Sequence, residues 1–178
     1  KAPVIASHSC AKANCDNPRN LSYDMLKKLA ENGGVVQMCI LSDYVKTPAN
    51  YAQRDSAYDA IRIKYRNFEN LTPEEDKAAE NEWHSVDSLF PRQLATVSDM
   101  VNHIDHIVKI AGIDHVGIGT DFDGGGGLAD CQDVRQMGNI TLELVMRGYS
   151  EKDIRKIWGG NIMRVMRKVQ ERNLLSGL

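Results

Sequence analysis

The stretch from His115 to Gly127, HVGIGTDFDGGGG, restricts what this chain can fold into more than any other. A short apolar run, Val116-Gly117-Ile118-Gly119, leads into Asp121 and Asp123 and then into consecutive glycines, Gly124 to Gly127. A strand that ends in acidic residues and turns through glycine presents carboxylates at the rim of a parallel sheet. The glycine run forms no stable element of its own, but it accepts positive φ and lets backbone approach a ligand closely. A plain surface turn would share this composition. A second strand end far upstream, Ile5-Ala6-Ser7-His8-Ser9, also sets a ligand-type residue after an apolar run. Two such ends together point to a site.

Reading from the start, Val4 to Ser7 is a strand and Ser9 to Asn20 a polar loop. Ser22 caps a helix to about Asn32, with Met25, Leu26 and Leu29 inward, and Gly33-Gly34 stops it. Val35 to Leu41 is a second strand, β-branched enough to be covered on both faces. Strand, helix, strand is a βαβ unit, whose parallel strands share one C-terminal edge. From about residue 47 to 95 the chain turns polar, charged and helical. Tyr58, Ile61 and Tyr65 share a face there, and Thr72-Pro73-Glu74-Glu75 opens a further helix to about Val86. An excursion of this length is expected to be an insertion, a lid or an interface.

Thr96 to Ala111 is amphipathic, opened by Thr96-x-x-Asp99 and lined by Met100, Val101, Ile104, Ile107 and Val108. Val134 to Arg147, Glu151 to Trp158 and Asn161 to Glu171 complete the helices. The order β-α-β-(insertion)-α-β-α-α is an α/β pattern. A closed parallel barrel needs eight strands and about 250 residues. Three strands in 178 residues make either a minimal open sheet or the last portion of such a barrel. The chain is long enough for one domain, and its abrupt start inside a strand reads as a piece of a longer protein.

Composition narrows the function. Net charge is −2 with no basic stripe, which argues against nucleic acid as a partner. No run is long and apolar enough to span a membrane, and the N-terminus has no apolar signal core. Cys10-x4-Cys15 has no second pair, so a zinc ribbon fails, and Cys39 and Cys131 stand alone. The four cysteines are read as free or buried thiols. The compartment stays open; free thiols lean toward the cytoplasm.

His8, at the end of the first strand, is either a satisfied structural histidine or a metal ligand. Imidazole and carboxylate from separate strand ends are what hydrolytic zinc sites use. Arg19 is either a solvated cation or a bidentate clamp for a carboxylate. Tyr44, just past the second strand, sets its hydroxyl on the same side. His103 and His106 are spaced i, i+3, yet their helix packs outside the sheet, and His84 and His115 rank lower still. Asp121-x-Asp123-Gly124 lacks the later ligands of a calcium loop, and the glycines lack both the phosphate-loop lysine and the dinucleotide spacing.

With these residues in place, the chain resembles the C-terminal part of the membrane (renal) dipeptidase family, zinc peptidases of the metal-dependent hydrolase superfamily. The matching stretches are PVIASHS, NPRNLSYDMLKKLAENGGVVQMCILSDYV, HIDHIVKIAGIDHVGIGTDFDG and GGNIMRVM. The resemblance implies the closing portion of a (β/α)8 barrel and a site for two zinc ions in the complete enzyme. It implies His8 as a zinc ligand, Arg19 as the residue holding a dipeptide's terminal carboxylate, and Tyr44 as a neighbouring substrate contact. Asp121 matches the residue that handles protons, and Asp123 with the glycine turn shapes the loop beside it. The family's other zinc ligands lie upstream of the matched stretches, so this chain alone is expected to be inactive. Free strand edges imply a homo-oligomer or another cover. Enzymes on other amides or lactams, and a non-catalytic binding fragment, are the alternatives.

Overall fold

The computed structural model describes residues 2–176, with side chains to residue 171. Three strands, β1 (Ile5–Ser9), β2 (Val35–Cys39) and β3 (Val116–Thr120), form one parallel sheet in the order β1-β2-β3. Ile5 pairs with Val35, and Val36 and Met38 pair with Val116 and Ile118. Both ladders lose regular register at their C-terminal ends, after Ala6 in β1 and after Met38 in β2. Irregular pairing of this kind re-aims side chains where a strand delivers them. The three strands therefore share one C-terminal edge, as the α/β reading requires.

Helix α1 (Tyr23–Glu31) starts where Ser22 accepts a hydrogen bond from the Met25 amide. Leu26 and Leu29 are buried as expected, but Met25 is 55% exposed. That is a correction: the cap fixes the helix phase, and Leu26-Leu29 spacing already fills the inward stripe. A single turn, α2 (Ser42–Val45), follows β2. Helix α3 (Tyr51–Lys64) and helix α4 (Pro73–Leu89) belong to a separate compact unit, Pro48–Gln93. Its own small core joins Ile61, Tyr65, Ala79 and Val86, with the Tyr58 and Trp83 rings 4.2 Å apart. Thr72 and Glu75 close a reciprocal capping box at the start of α4.

The rest of the described chain forms the other unit. Helix α5 (Val97–Ala111) opens with a second capping box, Thr96 with Asp99, and ends at Gly112, whose φ is +90°. Met100, Val101, Ile104 and Ile107 are buried with Leu26, Val36, Met38 and Ile40 in the main core. Each such side chain contributes about 1.5–3 kcal/mol through burial. Past β3, the expected single helix from Val134 is divided into a 3₁₀ turn, Val134–Gln136, and helix α6 (Gly138–Met146). Helix α7 (Glu151–Arg155) runs through a wide π turn, Lys156–Gly160, into helix α8 (Asn161–Ser176). Asn161 donates from its amide to the carbonyls of Ile113 and Val116, tying α8 to the start of β3.

Candidate active site

His8 lies near the end of β1. Its Nδ1 is 2.8 Å from Ser7 Oγ and its Nε2 3.2 Å from an Arg19 terminal nitrogen. A guanidinium carries donors only, so Nε2 accepts and the ring proton sits on Nδ1, directed at Ser7. The Arg19 guanidinium also stacks over the Tyr44 ring, 5.8 Å from its centroid. His8, Arg19 and Tyr44 are thus joined in one cluster.

The cluster is built by short polar links in the loop after β1. Asn17 Oδ1 accepts from the Arg19 amide at 2.9 Å, and Ser9 Oγ donates to the Arg19 carbonyl at 3.2 Å. Asn20, only 3% exposed, donates to the carbonyls of Cys15 and Tyr44 and accepts from the Cys10 amide. Asn20 therefore fixes the Arg19 loop against α2. It was absent from the sequence reading, where Asn17-Pro18-Arg19-Asn20 gave only a polar loop. Partners distant in sequence leave no local signal.

His103 is spent on structure. Its Nδ1 accepts from the Ala11 amide at 3.0 Å, so Nε2 carries the proton and donates to the Val45 carbonyl at 2.8 Å. Burial first, opposed by its Val45 bond, holds its pKa below the ordinary histidine value. The ring pins the segments following β1 and β2 to α5. His115 is likewise committed, with Nδ1 2.8 Å from the Gly34 carbonyl.

At the end of β3 the backbone is strained. Thr120 and Asp121 have φ of +49° and +74°, a left-handed pair without glycine. For a β-branched residue that conformation costs on the order of 1–3 kcal/mol and clusters at functional sites. Asp121 then has its carbonyl capped by the amides of Gly124 and Gly126. Its Oδ2 lies 3.7 Å from Cys39 Sγ at the end of β2. Burial raises the Cys39 thiol pKa, and the Arg19 charge acts against it. An added β-carbon on Gly119 would fall 2.3 Å from the Ser7 carbonyl, so β3 comes close to β1 across β2. Asp123 is exposed in the glycine turn. All four cysteines are free and buried.

Among the described residues, no three or more His, Cys, Asp or Glu side chains stand where they could hold a metal ion. His8 contributes one imidazole, and Arg19 occupies its accepting nitrogen. The residues present do not by themselves fit a metal centre.

Parallel strands that end in an imidazole and a carboxylate, with a guanidinium in the loop after the first, set this chain in the parallel α/β class with polar side chains at one strand edge. The comparisons carry this to a family. Residues 1–175 match the family profile Membrane dipeptidase (Peptidase family M19), and the chain belongs to that family. Dipeptidase ataJ of Aspergillus terreus is 34% identical over 172 residues, 96% of this chain and 32% of that protein. Human Dipeptidase 3 is 29% identical, over 96% of this chain and 26% of its own length. Among solved structures, the probable dipeptidase PvdM from Pseudomonas aeruginosa superposes with a TM-score of 0.79 at 33% identity, over 96% of this chain and 46% of that one. A metallo peptidase from Rhodobacter sphaeroides, solved with a phosphinate mimic of the dipeptide L-Ala-D-Ala, shares the fold at a TM-score of 0.67 and 22% identity, covering 94% of this chain and 36% of that one. M19 dipeptidases have the TIM-barrel fold, and the three parallel strands with their helices are a portion of it. The chain spans about a third of the length of the curated relatives it matches.

Proposed function

We propose that this chain supplies the carboxylate-binding and proton-handling residues of a zinc-dependent dipeptidase. The observation that carries the reading is the convergence of His8, Arg19 and Tyr44 at the strand ends of a chain from this family. The guanidinium of Arg19 binds the terminal carboxylate of a dipeptide through paired N–H bonds, with Tyr44 beside it. Asp123, on the exposed turn, borders the same substrate. Asp121 removes a proton from the attacking water as oxygen bonds to the peptide carbon, then delivers it to the departing amine as the C–N bond breaks. Such proton transfers contribute about 10²- to 10⁴-fold in rate.

In this reading the complete polypeptide would hold two zinc ions, with His8 as one ligand and further ligands supplied from outside this chain, and they would provide a metal-bridging hydroxide as nucleophile. Bound zinc supplies a nucleophilic oxygen at neutral pH. For His8 to coordinate through Nε2, Arg19 must release that nitrogen, and the freed N–H is then available to substrate. Residues 47–95 are a helical insertion in the barrel domain. The free edges of β1 and β3 are covered by further barrel strands or by a second copy.

The test compares zinc content and dipeptide hydrolysis of this chain with those of the complete polypeptide containing it. The longer protein is expected to hold about two zinc ions and cleave dipeptides, as a two-metal hydrolase does. If neither protein cleaves dipeptides, or if this chain alone holds both metals and turns over, the proposal is wrong.

A further inference from the structure

The Asp121 carboxylate is gripped from two sides by residues with no part in the reaction just described. On one side stands Cys39, completely buried at the end of β2. Its sulfur accepts from the Leu41 amide at 3.5 Å and lies 3.7 Å from Asp121 Oδ2 and 3.8 Å from the Thr120 carbonyl. On the other side is Gly124. A β-carbon there would stand 2.4 Å from Asp121 Oδ1 and 2.9 Å from Cγ, distances no real side chain tolerates.

We infer that Cys39 and Gly124 are positioning residues for Asp121: the thiol holds one carboxylate oxygen, and the missing β-carbon makes room for the other. The inference rests on the proton-handling role proposed for Asp121. Burial, with the Asp121 charge adding to it against the Leu41 amide, pushes the Cys39 thiol up to about 11. The sulfur therefore keeps its proton at neutral pH and can donate it, which a thiolate could not. A sulfur donor is weak, so most of the placement comes from shape.

Two glycines of the same turn separate placement from backbone strain. Gly124 does not occupy the left-handed region, so alanine there costs little backbone energy and acts on the carboxylate. Gly125 has φ of +91°, and a β-carbon on it would touch nothing within 4 Å. Alanine at Gly125 strains the turn without reaching Asp121.

The experiment measures kcat and KM for a dipeptide on the complete polypeptide carrying Gly124→Ala, Gly125→Ala, Cys39→Ala or Cys39→Ser, with denaturation midpoints for each. Gly124→Ala is expected to lower kcat about tenfold or more at nearly unchanged KM, since a misplaced proton-transfer group is felt in the transition state. Cys39→Ala should lower kcat several-fold, and Cys39→Ser, which keeps a donor, should recover most of it. Gly125→Ala, whose β-carbon reaches no atom of Asp121, should lower the midpoint more and kcat less than Gly124→Ala does. A second readout needs no turnover: the infrared S–H stretch assigned to Cys39, by difference from Cys39→Ser, should shift when Asp121 is replaced by alanine. Wild-type kcat in both Gly124→Ala and Cys39→Ala, or an unmoved S–H band, overturns the inference. A shifted band in a protein that cleaves no dipeptide supports the Cys39–Asp121 contact and overturns the proposed reaction instead.

Discussion

At the N-terminal edge of the sheet, long polar side chains are used up on backbone. Asn161 bonds the Ile113 and Val116 carbonyls, Arg164 bonds those of Gly33 and Asp114, and Asn32 bonds both the Val4 amide and the Ala2 carbonyl. At the C-terminal edge Asn20 and His103 are likewise bonded to backbone, but there polar side chains also meet one another: His8 with Arg19, Arg19 with Tyr44, Cys39 with Asp121. Side chain to backbone bonds are fixed when the fold forms. Pairs of side chains can be exchanged for a ligand. The contrast sets these bonds to backbone at one end of the strands and the groups of the proposed chemistry at the other, the division expected of parallel α/β barrels.

The contrast breaks first at Asn161. Its replacement by alanine leaves carbonyls at the start of β3 without their buried donor, a loss of about 2–3 kcal/mol by urea denaturation. A loss near zero would show that the N-terminal edge is not held as described. His103 sharpens the comparison through pH. Its folded pKa is depressed, so the unfolded chain binds the extra proton first. Stability is full above the unfolded value of about 6.5 and falls below it, by up to about 1.4 kcal/mol per pH unit. His103→Gln is expected to flatten that part of the stability–pH curve. Thr96→Ala, which opens the capping box of α5, should cost about 1 kcal/mol. Arg19→Met, at an exposed position on the chemical edge, should change stability by no more than about 0.5 kcal/mol while weakening dipeptide binding.

Local chemistry made much of the fold legible. Ser22, Thr72 and Thr96 cap the helices they were expected to cap, because a cap is decided within a few residues. The three strands were visible as apolar runs bounded by polar and glycine residues. What stayed hidden depends on partners far along the chain. Nothing near Cys39 announces that it touches Asp121, and nothing near His103 announces Ala11 and Val45. In the sequence Gly117 and Gly119 are only part of the apolar run of β3. They are small because Gln37 of β2 lies over them: a β-carbon would come 2.0 Å from Gln37 Oε1 at one and 2.8 Å from Gln37 Cβ at the other. The family resemblance named His8, Arg19, Tyr44, Asp121 and Asp123; only the fold could bring the first three into contact.

The measurement closest to the central claim follows dipeptide turnover and the denaturation midpoint together for Asp121→Asn in the complete polypeptide. The account predicts a midpoint near wild type and a rate lower by about 10²- to 10⁴-fold. Undiminished turnover would contradict it, because the C-terminal edge would then lack the proton-handling group on which the proposed chemistry depends.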